Sequence, residues 1–148
     1  MTTSISEIRK DFPLLMSNDV IYLDTAATSQ KPSCVLEAER TFYEKYNANP
    51  LRGLYELGEA ATEKYEEARE TVREFLNARE AAEIVFVRNA TEGLNLVAYS
   101  FGSLVLKPGD EILVSIMEHH SNLLPWQQAA ARTGAVVKYL ECTEDLSL

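Results

Sequence analysis

The fold is decided by residues 87–95, which read Val-Arg-Asn-Ala-Thr-Glu-Gly-Leu-Asn. Residues 83–87 are mainly apolar and β-branched, as in a buried parallel strand, and from Thr91 the apolar residues recur at helical spacing. Thr91 therefore takes the position of a helix N-cap, and the small residues Ala90 and Gly93 let a ligand approach the main chain. A helix N-terminus offers unpaired N–H groups and the positive end of the helix dipole, so the stretch predicts a phosphate site. On local chemistry alone, an ordinary capping threonine is the commoner explanation.

The rest of the chain alternates between strand and helical spacing, which predicts an α/β fold. Apolar runs indicate strands at 20–23, 83–87, 111–115 and 135–140. Periodic apolar residues indicate helices at 4–16, 32–46, 57–76, 91–101 and 123–132. Pro13 should end or bend the first helix, Pro108 and Gly109 predict a type II turn, and Gly134 should end the last helix. The alternation is typical of right-handed βαβ units, so we expect a mainly parallel sheet flanked by helices.

Composition argues against several classes of protein. The 148 residues are 46% hydrophobic and 25% charged, as in a globular chain. A net charge of -9 and a pI near 4.7 argue against general electrostatic binding of nucleic acid. The sequence has no long apolar run and no signal or transit segment, so we expect no membrane span and a cytoplasmic location. Cys34 and Cys142 match no disulfide framework or metal-ligand spacing and are interpreted as reduced thiols.

Three polar stretches follow predicted strands and are expected at one edge of the sheet, where α/β proteins bind ligands. They are residues 90–92, 117–122 and 24–29. Both histidines, His119 and His120, lie in the second stretch, and an imidazole there can stack on a flat heterocycle or move protons near neutral pH. A metal site is disfavoured because adjacent side chains rarely converge on one ion. On these residues alone, a functional and a purely structural role for the loop are equally open.

Four longer motifs occur in order along the chain. They read Tyr-Leu-Asp-Thr-Ala-Ala-Thr-Ser-Gln-Lys-Pro at 22–32, Tyr-Asn-Ala-Asn at 46–49, Arg-Asn-Ala-Thr-Glu-Gly-Leu-Asn-Leu-Val-Ala at 88–98 and Met-Glu-His-His-Ser-Asn-Leu-Leu-Pro-Trp-Gln at 117–127. Together they resemble the SUF-type cysteine desulfurases, which belong to the class V aminotransferase-like group of fold type I pyridoxal 5'-phosphate (PLP) enzymes. The similarity runs from about Ile5 to the last residue.

The resemblance implies an architecture and a reaction. Residues 1–19 would form an N-terminal helical segment, and residues 20–148 would form the N-terminal part of the PLP-binding large domain, truncated at its C-terminus. The whole enzyme would be a homodimer that converts L-cysteine to L-alanine. It would deliver persulfide sulfur to an acceptor protein of the SUF system for iron–sulfur cluster assembly.

The resemblance also implies roles for particular residues at the cofactor. Ala90, Thr91 and Glu92 would hold the cofactor phosphate through the threonine and the adjacent backbone. His119 would stack on the pyridine ring and relay protons, and His120 is a weaker candidate for the same role.

Two further segments match positions near the substrate. Ala26 and Ala27 would form a small-residue turn that leaves space beside it, and the loop around Arg52 would lie near the active site of the dimer partner. Leu51 and Tyr55 stand where histidines are common in the family, which argues against a role of this loop in proton transfer.

The family's chemistry also needs residues beyond the four motifs: a Schiff-base lysine, an aspartate at the pyridine nitrogen, an arginine for the substrate carboxylate and a sulfur-accepting cysteine. Lys138 lies on a predicted strand, and Cys34 and Cys142 do not match the acceptor position. We therefore predict that the 148 residues alone are inactive, and that uncovered sheet edges make them poorly soluble or molten.

Two alternatives stay open from the sequence. The first is a selenocysteine lyase, or another lyase or epimerase of the same class V group. The second is of a different class: a non-enzymatic α/β module that binds a phosphorylated ligand or a partner protein.

Overall fold

The computed structural model describes residues 4–143. The chain divides into two compact units, the first ending at Ile84 and the second beginning at Val85. The first unit is helical and the second contains both helices and parallel strands, so the α/β class predicted from the sequence is confirmed.

The first unit consists of four helices and one short 3-10 turn. The helices are α1 (Ile5–Arg9), α2 (Pro13–Ser17), α3 (Ser33–Lys45) and α4 (Glu56–Phe75), and the turn is Ala81–Glu83. Ser4 caps α1 by accepting the Glu7 N–H at 3.3 Å. The expected helix at 4–16 is divided as predicted at Pro13, which takes the N-terminal position of α2, where its missing N–H costs no helical hydrogen bond.

Two predicted strands, 20–23 and 83–87, are not formed. A strand requires a neighbour that pairs with its backbone groups, and among residues 4–143 neither segment has one. The Val20 carbonyl instead accepts a hydrogen bond from Arg9 Nη2 at 3.1 Å, and the Ile84 carbonyl accepts one from Arg69 Nη1. Ile84 keeps an extended backbone, with φ -92° and ψ 115°, but residues 81–83 before it form the 3-10 turn.

The second unit contains α5 (Ala90–Val105), β1 (Glu111–Ser115), α6 (His120–Thr133) and β2 (Val136–Leu140). β1 and β2 pair in parallel, with Glu111 opposite Val136 and Ser115 opposite Leu140. The strand–helix–strand unit predicted for this region is therefore confirmed. The sheet described in residues 4–143 has two strands.

The core of the second unit is built mainly from small residues. α5 packs against α6, and Gly102 is buried in their interface, where an added Cβ would lie 3.7 Å from Ala129 Cβ. Small side chains let the two helix backbones approach closely. The buried apolar residues here are Ala98, Val114, Ala129, Ala130 and Ala135.

Candidate functional site

The N-terminus of α5 is capped by Asn89, which corrects the prediction that Thr91 is the N-cap. Asn89 Oδ1 accepts the Glu92 N–H at 2.9 Å, because a short amide side chain reaches the third helical N–H well. Thr91 therefore lies inside the first turn. Within residues 4–143, the N–H groups of Ala90 and Thr91 and the Thr91 hydroxyl have no hydrogen-bond partner. These three donors form an exposed cluster at the positive end of the helix.

Glu92 is held by Arg88 through three hydrogen bonds. Its Oε2 accepts the Arg88 backbone N–H at 2.6 Å and Nε at 3.2 Å, and its Oε1 accepts Nη2 at 3.1 Å. The Arg88 guanidinium, and then the Arg88 N–H, lower the pKa of the Glu92 carboxyl below its ordinary value of 4.5. The paired arginine offsets the negative charge that Glu92 would otherwise place beside an anion at this helix start.

His119 is the N-cap of α6. Its Nδ1 accepts the Ser121 N–H at 3.2 Å and lies 2.9 Å from Ser121 Oγ. The His120 ring lies next to it, with the two ring centroids 6.2 Å apart and an interplanar angle of 54°. The imidazole of His119 is thus anchored through one nitrogen by the helix that it caps.

Thr91 and His119 line one cavity within the second unit. Its volume is about 350 Å³, and its remaining lining residues are Asn95, His120, Ser121, Leu124, Pro125 and Gln128. The cavity is therefore bordered by Thr91 of α5 on one part of its wall and by the imidazole of His119 on another. A phosphate with an attached aromatic ring matches this combination of groups.

The backbone around His119 is fixed by side chains of α6, a feature that the sequence analysis missed. The Asn122 N–H donates to the His119 carbonyl at 2.8 Å, and Asn122 Nδ2 donates to Glu118 Oε2 at 2.8 Å. Trp126 Nε1 in turn donates to Asn122 Oδ1 at 3.0 Å. The spacing of Glu118, Asn122 and Trp126 by four residues is the one signal in the sequence that indicates such a row.

The other predicted site residues lie in the first unit and do not line the Thr91–His119 cavity. Ala26 and Ala27 occupy a turn in which the Ala27 N–H donates to the Asp24 carbonyl at 3.2 Å. Arg52 is exposed in the loop between α3 and α4. It follows Leu51, whose φ is 67° and whose N–H donates to Thr62 Oγ1 at 2.8 Å. The roles proposed for these three residues stay predictions.

The resemblance calls for a Schiff-base lysine and a sulfur-accepting cysteine. Lys138, Cys34 and Cys142 do not match those two positions. Lys138 lies on β2, and its Nζ is 3.5 Å from Glu111 Oε1 on β1. Cys34 is exposed on α3, and Cys142 is half-buried; both are free thiols.

In the described part of the chain, no three His, Cys, Asp or Glu side chains are grouped to hold a metal ion. No helix between residues 4 and 143 is both long and apolar enough to cross a membrane.

Residues 21–148 match the aminotransferase class-V family, and the chain belongs to that family. A protein of Synechocystis sp. named "Probable cysteine desulfurase" is 53% identical over 144 residues, which are 95% of this chain and 34% of the relative. A protein of the same name from Halalkalibacterium halodurans is 49% identical over 143 residues, covering 94% of this chain and 35% of the relative. The chain thus spans about a third of the length of these relatives.

Solved structures with the same fold include two cysteine desulfurases. The apo enzyme from Thermococcus onnurineus superposes with a TM-score of 0.85 at 45% identity, over 95% of this chain and 34% of that one. An enzyme from Escherichia coli gives a TM-score of 0.80 at 40% identity, over 97% and 36%. A third structure, 24% identical with a TM-score of 0.67, carries glycine covalently linked to its PLP cofactor and shows the shared fold alone.

Proposed function

We propose that this chain forms part of the cofactor site of a PLP-dependent cysteine desulfurase and that its second unit holds the cofactor's phosphate and ring. One observation carries the proposal: Thr91 and His119 line the same cavity, although Thr91 lies on α5 and His119 is the N-cap of α6. Family membership and the named relatives support PLP as the ligand. A bare phosphate site would not need an imidazole in its wall.

The residues present fit the two ends of that cofactor. The free N–H groups of Ala90 and Thr91 and the Thr91 hydroxyl would bind the phosphate, with the α5 dipole adding to the attraction. His119 would lie against the ring and orient it. When bound, PLP supplies an electron sink for reactions at the α-carbon of an amino acid.

The wider function is proposed from the same family. The whole enzyme would act on L-cysteine as a cytoplasmic homodimer and pass sulfur to an acceptor protein of the SUF system. Ala26 and Ala27 would leave room beside the substrate, and Arg52 would lie near the partner's site. We assign neither the Schiff-base role to Lys138 nor the sulfur-accepting role to Cys34 or Cys142. Residues 1–148 alone would therefore bind the cofactor without turning over cysteine.

Trp126 provides a direct test of cofactor binding. It is the only tryptophan of the chain, and it follows Pro125, which lines the cavity. PLP in the cavity should therefore quench its fluorescence saturably, and inorganic phosphate should compete. Pyridoxal, which lacks the phosphate, should bind at least about tenfold more weakly, as expected for the loss of about 1.4 kcal/mol or more of charge-assisted hydrogen bonding.

Thr91→Val removes the hydroxyl and keeps the side chain's shape. It should weaken PLP binding about tenfold, whereas the matched control Thr71→Val, an exposed helical threonine in the first unit, should bind PLP like the parent chain. Equal quenching by PLP and pyridoxal, or equal loss in both variants, would reject the phosphate site. The same preparations incubated with PLP and cysteine should release no alanine, and catalytic release would reject the inactivity of residues 1–148.

A further inference from the structure

Ser121 places two polar groups next to one nitrogen of His119. Its backbone N–H lies 3.2 Å from Nδ1, and its hydroxyl oxygen lies 2.9 Å from the same atom. A backbone N–H can only donate, so Nδ1 has to carry its lone pair to accept it. A neutral imidazole with a lone pair on Nδ1 carries its proton on Nε2.

We propose that Ser121 is a positioning residue that fixes neutral His119 as the Nε2–H tautomer. His119 would then meet the bound ring and substrate as a hydrogen-bond donor and not as a base. The role in the reaction rests on the proposed function, but the tautomer itself follows from the contacts within the second unit. The sequence predicted that His119 relays protons. In this tautomer Nε2 can donate a hydrogen bond, but it has no lone pair with which to take a proton.

Asn122 forms hydrogen bonds to His119 and to the residue that precedes it in the chain, Glu118. The Asn122 N–H ties the His119 carbonyl to the first turn of α6, and the Asn122 amide ties Glu118 to the same turn. These hydrogen bonds fix the backbone of His119 relative to α6, and so they fix the position of its ring next to Ser121. Orientation by a hydrogen bond to the opposite ring nitrogen is the usual way in which proteins select a histidine tautomer.

His120 provides an internal comparison. It lies beside His119 and lines the same cavity, yet between residues 4 and 143 no hydrogen bond to its ring is present. Nothing in the described structure selects one of its tautomers. The two histidines of the chain should therefore differ in a measurement that distinguishes the ring nitrogens.

The test is nitrogen-15 NMR of the chain labelled only at histidine, recorded above neutral pH on frozen solution so that self-association does not broaden the lines. The chain contains two histidines, and His120→Gln assigns the pair. His119 should show one form, with the proton on Nε2 and a hydrogen-bonded lone pair on Nδ1, whereas His120 should show a mixture. A proton on Nδ1 of His119 would overturn the proposal.

Three variants separate the hydroxyl from a general effect on the helix. Ser121→Ala keeps the backbone N–H and removes the hydroxyl, so it should move the Nδ1 resonance while the proton stays on Nε2. Ser121→Thr should restore the parent spectrum, and the exposed control Ser103→Ala should change nothing. An unchanged spectrum in Ser121→Ala rules out a role for the hydroxyl. Because the spectra are recorded without PLP, failure of the cofactor titration with the tautomer intact rejects the proposed function alone.

Discussion

Asn89, and not Thr91, is the N-cap of α5, so the Thr91 hydroxyl stays free at the candidate site. The hydroxyl oxygen of a threonine at the N-cap would accept a hydrogen bond from a backbone N–H of its own helix. With Asn89 in that role, the Thr91 hydroxyl and two N–H groups remain available in the first turn. The preference of asparagine for N-caps was present in the sequence and could have identified Asn89 before the structure did.

The Arg88–Glu92 pair gives a prediction at the same scale. The pKa of the Glu92 carboxyl is lowered in the folded chain. The ionised carboxylate therefore stabilises the fold in full at pH values above 4.5, the ordinary pKa of the group, and this contribution is lost as the pH falls through the lowered pKa. Glu92→Gln should therefore lower the free energy of unfolding at pH 7, and the difference from the parent chain should shrink as the carboxyl is protonated.

Urea unfolding at pH 7 and in acid, followed by Trp126 fluorescence, measures this difference. The control Glu39→Gln lies on α3 in the first unit and has no ion pair within the described residues, so it should leave the unfolding of the second unit unchanged. A Glu92→Gln loss that is the same at both pH values would show that the ionised carboxylate is not the stabilising group.

At the scale of elements, the βαβ unit is closed by two turns that meet. The Gly109 N–H donates to the Gly134 carbonyl at 2.9 Å, and the Val136 N–H donates to the Asp110 carbonyl at 2.8 Å. Gly134 ends α6 in the left-handed conformation, with φ 78°, and Gly109 has φ 90°. The pairing of β1 with β2 thus begins at the point where the two connections touch.

Gly134→Ala tests how much this junction contributes. The left-handed backbone alone should cost an alanine about 1–2 kcal/mol. A Cβ at Gly134 would also lie 3.1 Å from Pro108 Cβ, whereas one at Gly109 would meet nothing within 4 Å. Urea unfolding should therefore show a larger loss for Gly134→Ala than for the control Gly109→Ala, and equal losses would mean that the Pro108 contact has no energetic effect.

At the scale of the whole molecule, much apolar surface stays exposed. Among residues 4–143 no large side chain is completely buried, and Leu104 on α5 and Leu113 on β1 are 82% and 66% exposed. Each strand of the two-stranded sheet also has an outer edge without a partner in the described residues. Exposed apolar faces and open edges are the features that promote association.

We expect residues 1–148 to bind a hydrophobic dye and to self-associate as their concentration rises. Leu104→Gln removes the most exposed apolar side chain of α5 and should reduce both effects without changing the helical circular dichroism. Lys107→Gln, a nearby polar substitution, is the control. A parent chain that sediments as a monomer at every concentration and binds no dye contradicts this expectation.

The sequence by itself determined that helices form in these regions, that a break falls at Pro13 and that α6 ends at Gly134. These features depend on local spacing, on backbone conformation and on the groups of one turn. Only the tertiary structure decided which strands exist, because 20–23 and 83–87 are strand-like in composition but lack a partner in the described chain. It also decided that Thr91 and His119 share a cavity, since the packing of α5 against α6 depends on contacts between distant residues.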